Sequence, residues 1–142
     1  MNGWQMSIND KISDIKEMFL ILENPMDKYT QIIELGKKNK GLMDKDKSDN
    51  NQIFGCTSMA WVKTVKNRNL YSIQIDSDTF IVKGLLNILQ YVIDESKKED
   101  ILKIETENIL ENMGLGKSIT SQRTNGFLSA INKIKQQIQS YE

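Results

Sequence analysis

Between Phe80 and Ile93 the chain carries Ile81, Val82, Leu85, Leu86, Ile88, Leu89, Val92 and Ile93, apolar on most sides of a helix. Only a narrow polar stripe of Lys83, Asn87, Gln90 and Asp94 interrupts it. An ordinary surface helix buries one face, so a helix this apolar belongs at the centre with other elements packed around it. The stretch is too short and too interrupted to span a bilayer. Asp76-Ser77-Asp78 offers N-caps for this helix, which is expected to run through Glu95.

The segments on either side supply the cover. Ile8, Ile12, Ile15, Phe19 and Leu22 recur at three- and four-residue steps and predict a first helix. Asn24-Pro25 reads as an N-cap and first-turn proline of a second helix, which carries Tyr29, Ile32, Ile33 and Leu35 and is expected to stop near Gly36. From Lys37 to Gln52 polar residues dominate, so a long exposed loop is expected. Lys37, Lys38, Lys40, Lys45 and Lys47 are interleaved there with Asp44, Asp46 and Asp49, as on a solvated surface.

The period then changes. Trp61, Val62, Thr64 and Val65 suit a pleated strand, and Asn67-Arg68-Asn69 supplies a turn. Tyr71, Ile73 and Ile75 then alternate with Ser72, Gln74 and Asp76, which predicts a hairpin with one buried face. After the central helix, two shorter ones are expected at Lys98–Ile104 and Thr106–Met113, with Gly114 as a stop. A last helix over about Thr124–Ser140 turns Phe127, Ile131, Ile134 and Ile138 to one side. Together these predict an α+β fold, a small antiparallel sheet of two or three strands packed against several helices, in one domain over residues 1–142.

Composition removes many function classes. Nineteen basic and nineteen acidic side chains give zero formal charge, so no basic footprint calls for nucleic acid or an anionic membrane. With no histidine, there is no Ser-His-Asp or Cys-His pair and no imidazole metal site. Phosphate-binding glycine motifs are missing as well. No cofactor and no metal are therefore expected. One cysteine, no cationic-then-apolar leader and no span predict a cytoplasmic protein.

That single cysteine lies in Gly55-Cys56-Thr57-Ser58-Met59-Ala60-Trp61-Val62. On its own it is either a small buried hydrophobe or a thiol used one sulfur at a time. Gly55 permits unusual backbone geometry before it, and its place between a loop and a strand favours display at a rim.

Four blocks in order decide between these readings: Lys28-Tyr29-Thr30-Gln31-Ile32-Ile33-Glu34-Leu35-Gly36, the Cys56 run, Asp76-Ser77-Asp78-Thr79-Phe80-Ile81-Val82-Lys83-Gly84-Leu85, and Ser121-Gln122-Arg123-Thr124-Asn125-Gly126. The set resembles the SufE family, sulfur acceptors that partner cysteine desulfurases in iron–sulfur cluster assembly, over about residues 10 to 138. The resemblance implies a SufE/NifU-like fold. It makes Cys56 the nucleophile that takes a persulfide sulfur from a pyridoxal-phosphate-dependent desulfurase and passes it to a cluster scaffold complex. It also places Ser58, Asp78 and Arg123 around that cysteine as loop-supporting or partner-binding residues. Helix capping is the plainer reading of Asp78, and an ion pair or helix start that of Arg123. Trp61 is expected to pack in the core under the cysteine loop.

The chain departs from the family pattern at Thr57, Ala60, Ile75 and Gln122, and it lacks the histidine often found near Lys117-Ser118. The nucleophile survives these changes, and partner choice stays open. Two other readings compete. A docking module would stimulate a desulfurase without carrying sulfur. A cluster scaffold would need several thiolate or imidazole ligands, which one cysteine per chain supplies only if a homodimer shares them.

Overall fold

A computed structural model describes residues 6–55 and 57–141. Helix α1 spans Ile8–Leu20 and opens on a reciprocal cap, in which Ser7 Oγ accepts from the Asp10 N–H and Asp10 Oδ2 accepts from the Ser7 N–H. Helix α2, Pro25–Lys38, starts as expected, with Asn24 Oδ1 accepting from the Met26 N–H at 2.8 Å. It does not stop at Gly36. That glycine is buried inside the helix, where α2 meets the backbone of Phe80 and Gly84.

Strands β1, Ala60–Asn67, and β2, Leu70–Ser77, form the expected hairpin, with Val62 opposite Ile75 and Thr64 opposite Ile73 on the core side. A third strand, β3 at Ser96–Lys97, adds to β2 at Leu70 and Tyr71, giving an antiparallel sheet of order β1-β2-β3. The free edge of β1 is closed by side chains. Gln137 Oε1 accepts from the Thr64 N–H at 3.1 Å, and its Nε2 donates to the Val62 carbonyl at 3.0 Å. The Tyr141 hydroxyl donates to the Thr64 carbonyl at 2.9 Å. An edge satisfied in this way offers no template for another strand.

Helix α3, Phe80–Ile93, occupies the centre, in contact with β2, α1, α2 and α6 (Ser121–Ser140). Its N-cap position is Thr79, so Asp76 and Asp78 are not its caps. Three residues of the polar stripe, Lys83, Asn87 and Gln90, are half-buried and bonded to neighbours, while Asp94 is exposed. Lys83 reaches Asp76, and the Asn39 side-chain amide donates to Asn87 Oδ1 and Gln90 Oε1 at 2.8 and 2.7 Å. The stripe is the seam along which the segment after α2 is fastened down.

Beyond β3, the helices are shorter than their patterns predict: α4 covers Lys98–Leu102 and α5 Ile109–Asn112. Helix α6 starts earlier, because Thr120 Oγ1 accepts from the Arg123 N–H and caps it at Ser121. The result is an α+β fold of six helices and one three-stranded antiparallel sheet among the described residues. Among the described residues, no helix is long and apolar enough to cross a membrane.

Candidate functional site

Cys56 itself lies outside the described residues, so its surroundings are built from the two arms that lead to it. The upstream arm runs from Asn39 to Gly55 and contains two short 3-10 turns, Asp44–Asp46 and Asp49–Asn51. It is largely exposed, as expected, yet it is pinned at several points. Asp46 pairs with Lys63 of β1 at 3.1 Å, and Asn51 Nδ2 donates to the Asp46 carbonyl. Gln52 bridges to Trp61, and the Ile53 N–H donates to the Ala60 carbonyl at 2.8 Å. Gly55 then adopts φ +97, and a Cβ there would press on Ser129 Oγ of α6, so the position calls for glycine on both counts.

The downstream arm, Thr57 to Met59, is clamped by the start of α3. The Met59 N–H donates to Asp78 Oδ1 and the Asp78 N–H returns a bond to the Met59 carbonyl, both at 3.1 Å. Ser77 Oγ donates to the same carbonyl at 2.8 Å, and Ser58 Oγ lies 3.0 Å from Thr79 Oγ1. Ser58 and Asp78 are therefore brought together, and the carboxylate holds the loop instead of capping the helix.

Thr57 opens onto a small cavity of ≈ 20 Å³ between α3 and α6. Val82, Leu85 and Leu86 form one wall, Phe127 and Arg123 the other. A space of that size holds about one water-sized sphere, and its lining is mainly apolar. The Arg123 guanidinium stacks over the Tyr29 ring at 5.5 Å, a contact that fixes its direction. No carboxylate pairs with it among the described residues, so the ion-pair reading of Arg123 gives way to a helix-start residue held against an aromatic face. Trp61 is half-buried on the sheet face opposite the core, under the Lys47 ammonium at 5.5 Å, and does not pack in the core as expected.

Sequence reasoning read Asp76 as a helix cap, Lys47 as a solvated charge and Lys83 as part of a polar stripe, and it missed that the three form one cluster. Asp76 is 6% exposed, on what looked like the polar face of β2. Burial pushes its carboxyl up, but the Leu42 and Ser77 N–H groups, then Lys83 and Lys47, outweigh burial and hold it below the usual value. A carboxylate with a depressed folded pKa contributes stability that is present above its unfolded value of 3.8 and is lost as pH falls through the lower folded value. Asp76→Asn is therefore expected to lower stability at neutral pH, and to lower it less as the solution is acidified below about pH 4. Denaturant midpoints measured across the acid range check this. Parallel curves for the two proteins would contradict it.

Four large apolar side chains stand exposed on or beside these arms: Phe54 at 64%, Met43 at 63%, Phe80 at 52% and Met59 at 44%. Among the described residues, no cluster of three or more His, Cys, Asp or Glu side chains could hold a metal ion.

Residues 13–138 match a family model described as SufE, Fe-S metabolism associated domain. The fold is similar to the solution structure of a hypothetical protein from Thermus thermophilus, with a TM-score of 0.75 at 15% identity over 91% of this chain and 93% of that one.

Proposed function

Because the chain belongs to the SufE family of Fe-S metabolism associated domains, we propose that it is a single-domain sulfur acceptor for a pyridoxal-phosphate-dependent cysteine desulfurase in iron–sulfur cluster assembly. The Cys56 thiolate attacks the outer sulfur of the persulfide on the desulfurase cysteine. The sulfur–sulfur bond of the donor breaks, the donor cysteine leaves as a thiolate, and the sulfane sulfur remains on Cys56. No external oxidant or reductant is consumed. The same exchange in the opposite sense passes the sulfur to a cluster scaffold complex.

The observation that carries this reading is the apolar cavity at Thr57, the residue next to the only thiol in the chain. A persulfide in transit has to be kept from water and from other thiols, and a small apolar recess excludes both. Phe54, Met59 and Phe80 surround the cysteine arms as an apolar rim on which the desulfurase docks, because sulfur transfer requires the two cysteines to meet. We place this chemistry in the reducing cytoplasm, where an unpaired thiol persists.

The test mixes the protein with a cysteine desulfurase and free cysteine and follows the intact mass. A gain of one sulfur, ~32 Da, is expected on the wild type. Val82 is half-buried at the cavity wall, so Val82→Phe should fill the recess while the fold is kept. The variant is expected to hold its persulfide about tenfold more briefly against added glutathione, since access governs thiol exchange. An unchanged lifetime would remove the cavity from the account.

A further inference from the structure

We propose that Asp76 is a positioning residue for Cys56, its carboxylate tying the upstream arm of the cysteine loop, through Leu42 and Lys47, to Ser77, which holds the downstream arm. The assignment rests on the reading of Cys56 as the reacting thiol. Asp76 Oδ2 accepts from the Leu42 N–H at 2.9 Å and lies 3.3 Å from Lys47 Nζ, so one oxygen grips the upstream arm at two points. Lys47 also covers Trp61, the bridge partner of Gln52, and so carries the grip on toward Gly55. The other oxygen accepts from the Ser77 N–H at 2.8 Å and lies 3.5 Å from Lys83 of α3. Ser77 and Asp78 in turn hold Met59 in the downstream arm.

No other described carboxylate bonds both the upstream arm and the Ser77 N–H that leads to the downstream arm. Asp46 ties only the upstream arm, to β1, and Asp78 ties only the downstream arm, to the start of α3. The close fit is visible in Gly41, at φ +74, where an added Cβ would collide with the Asp76 carboxylate itself. Asparagine in place of Asp76 would keep the shape. It would also turn an amide N–H toward one backbone donor and one ammonium group, Leu42 and Lys47 or Ser77 and Lys83, which need an acceptor, and it would remove the charge that holds both lysines. The grip would then loosen.

The test measures alkylation of Cys56 by iodoacetamide in the full chain, a reaction that needs no desulfurase. Asp76→Asn is expected to speed alkylation about fivefold, as local opening of the arms becomes easier. Lys47→Met should give a smaller rise, and the double variant should react no faster than Asp76→Asn alone, because both act through one cluster. Ile138→Ala serves as the control for lost stability, at a buried site about 22 Å along α6 from Arg123. It is expected to react at the wild-type rate well below its melting temperature. Asp76→Asn within twofold of wild type, an equal rise in Ile138→Ala, or additive effects of Asp76 and Lys47 would each overturn the assignment. A chain that fails to take up sulfur yet shows these alkylation rates would sink the sulfur-acceptor reading and leave the positioning role standing.

Discussion

Cys56→Ser is expected to take up no sulfur at all in the desulfurase assay, where the wild type gains ~32 Da. A serine hydroxyl has no accessible anion at neutral pH and forms no stable bond to sulfane sulfur, so the loss should be complete. Docking depends on other atoms. Phe54, Met59 and Phe80 remain exposed in the variant, and the Asp78–Met59 clamp involves no atom of residue 56. The serine variant should therefore still occupy the desulfurase, and an excess of it should slow wild-type turnover by competition. Sulfide release in the presence of free cysteine and a reductant measures both effects. Cys56→Ser stimulating the desulfurase as well as wild type would favour a docking module that carries no sulfur. A variant that neither stimulates nor competes would show that the thiol is itself part of the contact.

The elements most legible in the sequence are those whose pattern answers to a local cause. Tyr71, Ile73 and Ile75 alternate because one sheet face is buried, and Asn24-Pro25 starts a helix because Asn24 satisfies a free N–H group. Where the cause is tertiary, the same cues mislead. Gly36 resembles a helix stop, yet it lies inside α2 because another helix backbone comes too close for a side chain. Asp76 and Asp78 sit where caps belong but bond to residues 34 and 19 positions away. The lysines and aspartates of the 37–52 stretch have the composition of a solvated surface, and two of them, Lys47 and Asp46, are the pins that hold it. Strand β3 is two residues long, too short for any periodicity to register.

The candidate site was legible through the family resemblance more than through chemistry. Composition left Cys56 as the only thiol but could not say whether it reacts. The ordered blocks named Ser58, Asp78 and Arg123, and the structure brings Ser58 and Asp78 into one clamp and Arg123 to the cavity wall. The cavity had no sequence signature. Its walls come from Val82 to Leu86 and from Arg123 to Phe127, and periodicity along one helix cannot show what faces it from another.

Gly84→Ala should be among the most damaging single substitutions in this chain, at about 3 kcal/mol or more. The expectation runs against local propensity, since alanine in a helix interior is favoured over glycine by about 1 kcal/mol. Here the added methyl would fall on the carbonyl of Ile32 in α2, and backbone held by helical hydrogen bonds cannot swing aside as a side chain would. Gly36 makes the reciprocal approach, where a Cβ would fall on the carbonyl of Phe80 and lie 2.9 Å from the Gly84 N. The two glycines are one contact seen from two helices, so Gly36→Ala with Gly84→Ala should cost less than the sum of the single variants once the helices have been forced apart. The consequence reaches the site, because Val82, Leu85 and Leu86 ride on α3, and Tyr29, which holds Arg123, rides on α2. Separating α2 from α3 would shift one cavity wall against the other. Urea unfolding of the three variants decides the matter: a Gly84→Ala protein as stable as wild type would mean that propensity outweighs contact, and that α2 and α3 have room to part.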